Sequence, residues 1–364
     1  MPFQTVSERL IDASRQNAIA CHPPQVSGGC RGGPVLTLPG RATAQTTQIT
    51  GAGSSFVRPV MERWIDLLPA TLGVSARYSA IGTGVAQSKI LSGDIDFAAF
   101  ELPLPASTVA NGDLIQFPVA FGALACVVNI PGVANDQLKL NAGLLAAIYA
   151  GGIKKWNDPR IVAVNPSVAL PELDIKPLRL DTPSGAVFST TYTFTQYLLA
   201  TNADWREKYG AAVTKRWAVG SMVDSAGNMM ETLKILSGSI GYVPLGSAAG
   251  QRLTTVMLWN KAGKLVGASL ASLQAAVAQV DWRATAEMAP KLLDLPGEAT
   301  WPIVLPSYVL MQRNPRDKVR GEAVTAFAKF IVSNGAEGAA QRHAVALPEA
   351  PRGTVLGMIA GLNG

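Results

Sequence analysis

The sequence has few of the side chains on which most metal proteins and many hydrolases depend. Its 364 residues include two histidines, His22 and His343, which disfavours a zinc site built from histidine and a Ser–His–Asp triad. The three cysteines offer neither a disulfide framework nor a metal-ligand spacing, and Cys126, in an apolar run, is expected to be buried. No apolar run approaches the roughly 18–20 residues that a membrane helix needs, so none is predicted.

Charge is also sparse, at 15% of residues, and the net charge of +6 comes without runs of Lys or Arg. A nucleic-acid-binding stripe is therefore not indicated, although a mild positive excess suits a protein that collects small anions. The chain is rich instead in hydrophobic residues (48%), glycine (35) and proline (24). Its length and composition predict one large or two ordinary folded domains with many tight loops.

Residues 1–45 differ from the remainder of the chain. They contain Pro-Pro and Gly-Gly pairs and no sustained apolar period, which is typical of a disordered tail. Ala42-Thr43-Ala44, before Gln45, nevertheless has the small-x-small form of a secretory cleavage site. A disordered tail and a misassigned or processed leader both remain open.

From residue 46 onward, strand-like and helix-like segments alternate in the manner of a parallel α/β sheet. Apolar residues at helical spacing predict a helix over 56–68, capped by Ser54 or Ser55. The continuous apolar run 117–129 predicts one long buried strand, and 321–332 a terminal helix. Trp64 is expected in the core.

Three turns that follow predicted strands are rich in small residues and hydroxyls and precede predicted helices. They cover 51–56, 81–84 and 179–185. Helix N-termini attract anions because their first N–H groups lack partners, and such turns cluster at the carboxyl ends of strands in open α/β sheets. The three turns together, with an Arg and two acidic residues close by, favour an anion site.

At these turns the sequence resembles the periplasmic phosphate-binding protein of the phosphate-specific ABC transporter, from about residue 47 to 345. The matching stretches are Thr50-Gly51-Ala52-Gly53, Ile81-Gly82, Asp96-Phe97, Val128-Asn129-Ile130-Pro131-Gly132, Ile153-Lys154-Lys155-Trp156, Arg179-x-Asp181, Ser239-Ile240-Gly241-Tyr242-Val243 and Trp301-Pro302-Ile303. The resemblance implies an α/β fold of the type 2 solute-binding class: two lobes, joined by crossing hinge strands, with the anion in the cleft. It implies lobe 1 at 46–118 plus 303–364 and lobe 2 at 119–302.

The resemblance also assigns phosphate ligands. Arg179 matches the family's cationic ligand and Asp181 the carboxylate that orients it, and Arg gives parallel charge-assisted bonds to phosphate. The remaining ligands implied by the motifs are Ser55, Phe56, Thr83, Ser184, Gly185 and Ala186. The loop after Asp181 is longer than in the family, so Thr190 is an alternative to Ala186.

Glu101 stands where the family has an Asp that accepts a hydrogen bond from a protonated phosphate oxygen. Phosphate keeps a proton near neutral pH and sulfate does not, so a buried carboxylate here would reject sulfate. Glu reaches one methylene further than Asp.

The function implied by the resemblance is binding of inorganic phosphate and its delivery to the permease subunits of an ABC transporter. We expect a periplasmic or secreted monomer that is not an enzyme, needs no cofactor or metal and binds no nucleic acid. A secreted relative with phosphatase activity and a binder of another tetrahedral oxyanion (arsenate, sulfate or molybdate) are alternatives. A vestigial site in a scaffold or adhesion protein is a further one.

Overall fold

A computed structural model describes residues 46–181, 188–209, 218–282 and 288–363 of the protein. The strands are β1 (Thr47–Gly53), β2 (Val74–Ser79), β3 (Phe97–Phe100), β4 (Leu114–Val128), β5 (Lys139–Leu140), β6 (Lys176–Leu180), β7 (Ser221–Val223), β8 (Ser239–Pro244), β9 (Thr254–Thr255), β10 (Met257–Trp259), β11 (Leu265–Val266), β12 (Val304–Gln312) and β13 (Ala344–Ala346). The α-helices are α1 (Arg58–Asp66), α2 (Thr83–Ser92), α3 (Ala106–Asn111), α4 (Ala142–Tyr149), α5 (Pro159–Ala163), α6 (Ser189–Thr201), α7 (Ala203–Tyr209), α8 (Ala226–Ile235), α9 (Leu245–Gly250), α10 (Leu270–Val277), α11 (Lys318–Asn334), α12 (Ala336–Ala340) and α13 (Glu349–Ala360).

The main sheet has the strand order β2-β1-β3-β12-β4-β8-β6-β7. At one end β1 pairs in parallel with β2 and β3, and at the other end β6 pairs in parallel with β7 and β8. The long strands β4 and β12 lie antiparallel to each other between these two ends. A smaller sheet has the order β11-β10-β5.

Strand β4 confirms the predicted long buried strand, because all 15 of its residues are buried. Its first part pairs with β12 and β13, and its last residues pair with β8 and β9. Pro118 has no N–H to donate to the ladder, and the register with β12 shifts at this point, between Ser307 and Tyr308. The strand thus connects the two parallel ends of the sheet.

Helix α1 confirms the predicted apolar face, since Val57, Val60, Met61 and Trp64 are buried at helical spacing. The predicted cap is wrong. Val57 is the N-cap and no side chain caps the helix, because the chain first makes a turn in which the Ser54 hydroxyl accepts from the Phe56 amide at 3.0 Å.

The helix expected to be terminal, α11, is followed by α12, β13 and α13, so the prediction that it ends the fold is wrong. Helix α13 begins after Pro348 and buries Pro351, Val355 and Ile359. Cys126 and Trp64 are buried, as predicted. Within the described ranges, no helix combines the length and apolar character needed to cross a membrane. The proposed lobe boundaries and the status of residues 1–45 stay predictions.

Candidate functional site

The carboxyl ends of β1, β2 and β3 bring together the first group of predicted site residues. Ser54 N, after β1, donates to the Ala99 carbonyl of β3 at 2.9 Å, and Gly82 N, after β2, donates to the Gly53 carbonyl at 3.0 Å. Gly53 is required by this closeness, because a Cβ there would lie 1.8 Å from the Ala99 oxygen. The turns after the three strands are therefore neighbours at one edge of the sheet.

Ser55 and Thr83 are placed at the starts of the two helices that follow these turns. Ser55 is exposed, just before α1, and Thr83 is the first residue of α2 and half-buried. Gly82, with φ 87°, is the N-cap of α2 and offers no side chain to its first N–H groups. The amide of Phe56, by contrast, already donates to Ser54 within the turn.

Glu101 follows β3 and is 1% exposed. Its Oε2 accepts a hydrogen bond from the Ser189 hydroxyl at 2.6 Å, whereas its Oε1 receives no well-formed hydrogen bond from the described residues. Burial raises the pKa of this carboxyl to about 7, against the opposing effect of Ser189, Ser54 and nearby amides. The arrangement leaves a desolvated acceptor oxygen available to a donor on a ligand.

Arg179 and Asp181 form the second group, at the carboxyl end of β6. Arg179 Nη1 donates to Asp181 Oδ2 at 2.6 Å, and its Nε donates to the Gly220 carbonyl at 3.3 Å. The Arg179 side chain is 22% exposed and that of Asp181 is 9% exposed. Among the described residues Nη2 of Arg179 has no acceptor. The guanidinium is thus oriented by a carboxylate while retaining donors for an anion.

The first turn of α6 joins the two groups. Ser189 contacts Glu101, and two residues later Thr191 Oγ1 donates to the Leu180 carbonyl, between Arg179 and Asp181, at 2.6 Å. Thr190, 8% exposed, has a buried hydroxyl without a partner in the described part of the chain. No side chain in the described ranges caps the helix at Phe188. The α6 N-terminus therefore lies between the buried carboxylate and the guanidinium segment.

Ser184, Gly185 and Ala186 lie outside the described residues. Thr190, the alternative in the lengthened loop, belongs to the first turn of α6. Sequence reasoning missed Ser189. Its one signal was the run Ser189-Thr190-Thr191 at a helix start, and nothing local in that run indicates a partner 88 residues away.

A concave surface adjoins this cluster. Glu101 lines a cavity of about 510 Å³ together with Tyr192, Gln196 and Tyr308. This cavity is open to solvent and mostly apolar, and its described lining does not include Ser55, Thr83, Arg179 or Asp181, so it is a neighbouring surface and not the predicted anion site itself.

Comparison with known proteins identifies relatives over most of the chain. The family model described as PBP superfamily domain matches residues 40–335. The phosphate-binding protein PstS of Haemophilus influenzae is 34% identical over 314 residues, which cover 86% of this chain and 93% of the relative. PstS of Xylella fastidiosa strain 9a5c is 33% identical over 326 residues, covering 89% of this chain and 88% of the relative.

Among solved structures, a high affinity periplasmic phosphate-binding protein (PfluDING) bound with phosphate has a TM-score of 0.65 at 17% identity, covering 85% of this chain and 93% of that one. This likeness confirms the predicted two-lobed α/β fold of the periplasmic binding proteins. The identities of 33–34% to the PstS proteins also show the family. The chain belongs to the PBP superfamily and to the family of phosphate-binding proteins named PstS.

Proposed function

We propose that this protein binds inorganic phosphate at the cluster formed by Glu101, Arg179 and the first turn of α6, and delivers it to the permease of an ABC transporter. The observation that carries the proposal is the pairing of a guanidinium, held by Asp181 at 2.6 Å, with a buried carboxylate whose Oε1 receives no well-formed hydrogen bond from the described residues. The two groups suit an anion that carries both negative charge and a proton. Inorganic phosphate meets that description near neutral pH.

Each side chain has a separate part in the proposed site. Arg179 supplies charge-assisted bonds to phosphate oxygens. In its ionised form, Glu101 accepts a hydrogen bond from the phosphate O–H through Oε1, and it repels a fully deprotonated anion such as sulfate because neither charge is hydrated there. Further donors are supplied by Thr190, whose hydroxyl has no partner among the residues that the structure describes, and by Ser55 and Thr83 at the helix starts.

The remaining ligands are proposed from the family resemblance. Ser184, Gly185 and Ala186 stay candidates in the loop after Asp181, and the amide of Phe56 would have to exchange its bond to Ser54 for one to the ligand. Delivery to a permease, a periplasmic or secreted location, the monomeric state and the lack of catalysis are proposed from membership of the family, whose relatives are named as binding proteins.

Calorimetric titration of the purified chain with phosphate, sulfate and arsenate tests the proposal. We expect binding of phosphate and arsenate, no measurable binding of sulfate, and no release of phosphate from a phosphate ester. Arg179→Ala should abolish measurable phosphate binding, because it removes the charge-assisted donors and leaves the Asp181 carboxylate uncompensated, where it repels an anion.

Arg313→Ala is the matched control. Arg313 follows β12, which runs antiparallel to β3, so Arg313 lies at the end of the strands opposite to the candidate site. It is half-exposed and pairs with Asp113 at 3.8 Å. It should bind phosphate as the wild type does. Near-wild-type phosphate affinity in Arg179→Ala would refute the site, and equal affinity for sulfate and phosphate in the wild type would refute the role of Glu101.

A further inference from the structure

Three buried groups form a closed ring of hydrogen bonds around one residue of the site. Leu180 N donates to the Tyr242 hydroxyl at 3.3 Å, and Thr191 Oγ1 donates to the Leu180 carbonyl at 2.6 Å. The Thr191 and Tyr242 hydroxyl oxygens lie 2.8 Å apart. Since Thr191 uses its only hydrogen on Leu180, Tyr242 is the donor to Thr191. The bonds thus run in one direction, from Leu180 N–H through both hydroxyls and back to Leu180 C=O.

The members of the ring are shielded from water and uncharged. Tyr242 and Thr191 are each 1% exposed and Leu180 is 4% exposed. Burial raises the pKa of the Tyr242 phenol well above its usual range, so the phenol keeps the proton that it donates. A buried cycle in which every donor and acceptor is used is a rigid structure, because breaking one bond leaves desolvated groups without partners.

The ring provides backbone hydrogen bonds at the end of β6, where pairing with β8 has already stopped. Strand β6 pairs with β8 at Lys176 and Pro177 and then leaves it, whereas its last three residues, 178–180, pair with β7 on the other side. Leu178 and Leu180 are the later residues whose backbone groups face β8. The Tyr149 hydroxyl bonds to the Leu178 carbonyl at 3.2 Å, and the ring takes both backbone groups of Leu180. Side-chain hydroxyls therefore hold the end of β6 where the ladder no longer does.

This location matters because Leu180 separates Arg179 from Asp181. Its N–H belongs to the peptide unit that follows Arg179, and its C=O to the one that precedes Asp181. Holding both groups fixes both peptide planes, and hence the direction in which the two charged side chains leave the strand. The ring also includes α6, whose Ser189 bonds to Glu101, so it sets the cation segment and the carboxylate relative to each other.

We infer that Thr191 and Tyr242 are positioning residues for anion binding: their hydroxyl ring on Leu180 orients Arg179 and Asp181 toward the ligand. The inference rests on the proposed function. Neither residue needs to touch the ligand, and both would act through the backbone of Leu180. A purely structural ring would instead affect folding alone.

The test compares phosphate affinity in Thr191→Val with that in a matched control. Val keeps the shape of Thr and removes the hydroxyl. Thr195→Val removes a buried hydroxyl one turn later in α6, whose bonds within the described part of the chain go to the helix carbonyls of Thr191 and Tyr192. We expect phosphate affinity to fall about tenfold in Thr191→Val and to stay near the wild-type value in Thr195→Val. Thr191→Ser should restore most of the affinity.

A second measurement separates orientation from folding. In an Arg179→Lys background the ammonium is a point charge that does not depend on planar orientation, so adding Thr191→Val should reduce phosphate affinity less than about threefold. If Thr191→Val does not fold, Tyr242→Phe, which breaks the same ring, takes its place with the same expected values.

The outcomes distinguish this inference from the proposed function. A wild-type protein that fails to bind phosphate overturns both. If the wild type binds, the inference alone is overturned by unchanged affinity in the ring variant, by an equal loss in Thr195→Val, or by an equally large loss in the Arg179→Lys background.

Discussion

Glu101 is a carboxylate whose two oxygens have different surroundings. One accepts from Ser189, and the other is buried without a well-formed hydrogen bond from the described residues. An ionised group in that position costs free energy in the ligand-free protein, because its lost hydration is only partly replaced. A ligand that donates a hydrogen bond to Oε1 would remove part of that cost. Under the proposed function, anion selectivity and the free-energy cost of ionised Glu101 in the ligand-free protein would have the same origin.

This cost predicts a pH dependence of stability. The pKa of Glu101 rises from 4.5 to about 7 on folding. The contribution of Glu101 to the free energy of unfolding is therefore fully present below pH 4.5 and is lost as the pH rises through about 7. The side chain introduced by Glu101→Gln cannot ionise, and its amide oxygen can still accept the hydrogen bond from Ser189. We expect the ligand-free variant to be more stable than wild type by about 3 kcal/mol at pH 8 and by much less at pH 5, as measured by denaturant unfolding.

Glu207→Gln provides the control, since Glu207 is exposed on α7. Its stability difference from wild type should be small and the same at both pH values. A Glu101→Gln variant whose advantage does not change between pH 5 and pH 8 would show that Glu101 is hydrated in the empty protein.

At the scale of single elements, α6 links the two groups of candidate site residues. Its first turn contacts Glu101 through Ser189 and Leu180 through Thr191. Its buried side holds Phe194, which stacks on Tyr242 with ring centroids 4.4 Å apart. Aromatic stacking in the core thus fixes the helix that presents the hydroxyls.

Removing the Ser189 hydroxyl should change the titration of Glu101. The hydrogen bond from Ser189 favours the ionised carboxylate and so lowers its pKa against the effect of burial. In Ser189→Ala we expect the pKa of Glu101 to rise above that of the wild type. Carbon-13 NMR of labelled glutamate in the ligand-free protein measures this, with Glu101→Gln to assign the signal.

Ser225→Ala is a matched control at the start of another helix, where Ser225 caps α8 by accepting from the Asn228 amide at 3.1 Å. It should leave the Glu101 titration unchanged. An unchanged titration in Ser189→Ala would mean that the contact between Ser189 and Glu101 is absent in solution.

Elements with a strong local pattern were predictable from the sequence, and side chains that act across the fold were not. The run that forms β4 and the apolar spacing of α1 determine those elements almost alone. The cap of α1 was predicted wrongly because Ser54 has two competing uses, and the turn that positions the site takes the hydroxyl. The candidate ligand residues, by contrast, were predicted from the family resemblance, in which Arg179-x-Asp181 is one of the matching stretches.

The hydroxyl ring is a feature that could not be predicted from the sequence. Tyr242 lies 62 residues beyond Leu180 in sequence, and its position opposite that residue depends on where β6 leaves β8. Strand separation of this kind has no signature in local composition. The resemblance marked Tyr242 as a matching residue without indicating what its hydroxyl does.

At the scale of the whole molecule, the candidate site residues are divided between two parts of one continuous sheet. Ser55, Thr83 and Glu101 belong to the β2-β1-β3 end, and Arg179 and Asp181 to the β8-β6-β7 end. Strands β4 and β12 are the covalent path between the ends within the sheet. A ligand bonded to both ends would be stable only when they are close, which makes binding and closure one equilibrium.

This coupling predicts a change in overall dimensions on binding. If the predicted lobes, 46–118 with 303–364 and 119–302, move about β4 and β12, saturating phosphate should lower the radius of gyration measured by small-angle X-ray scattering. Sulfate should leave it unchanged, because Glu101 would exclude that anion. Arg179→Ala should show no phosphate response, since the anion would then lose its strongest bonds at one end of the sheet. A constant radius in wild-type protein that binds phosphate by calorimetry would mean that the two ends are already closed before the anion arrives, and that binding selects no new arrangement of the lobes.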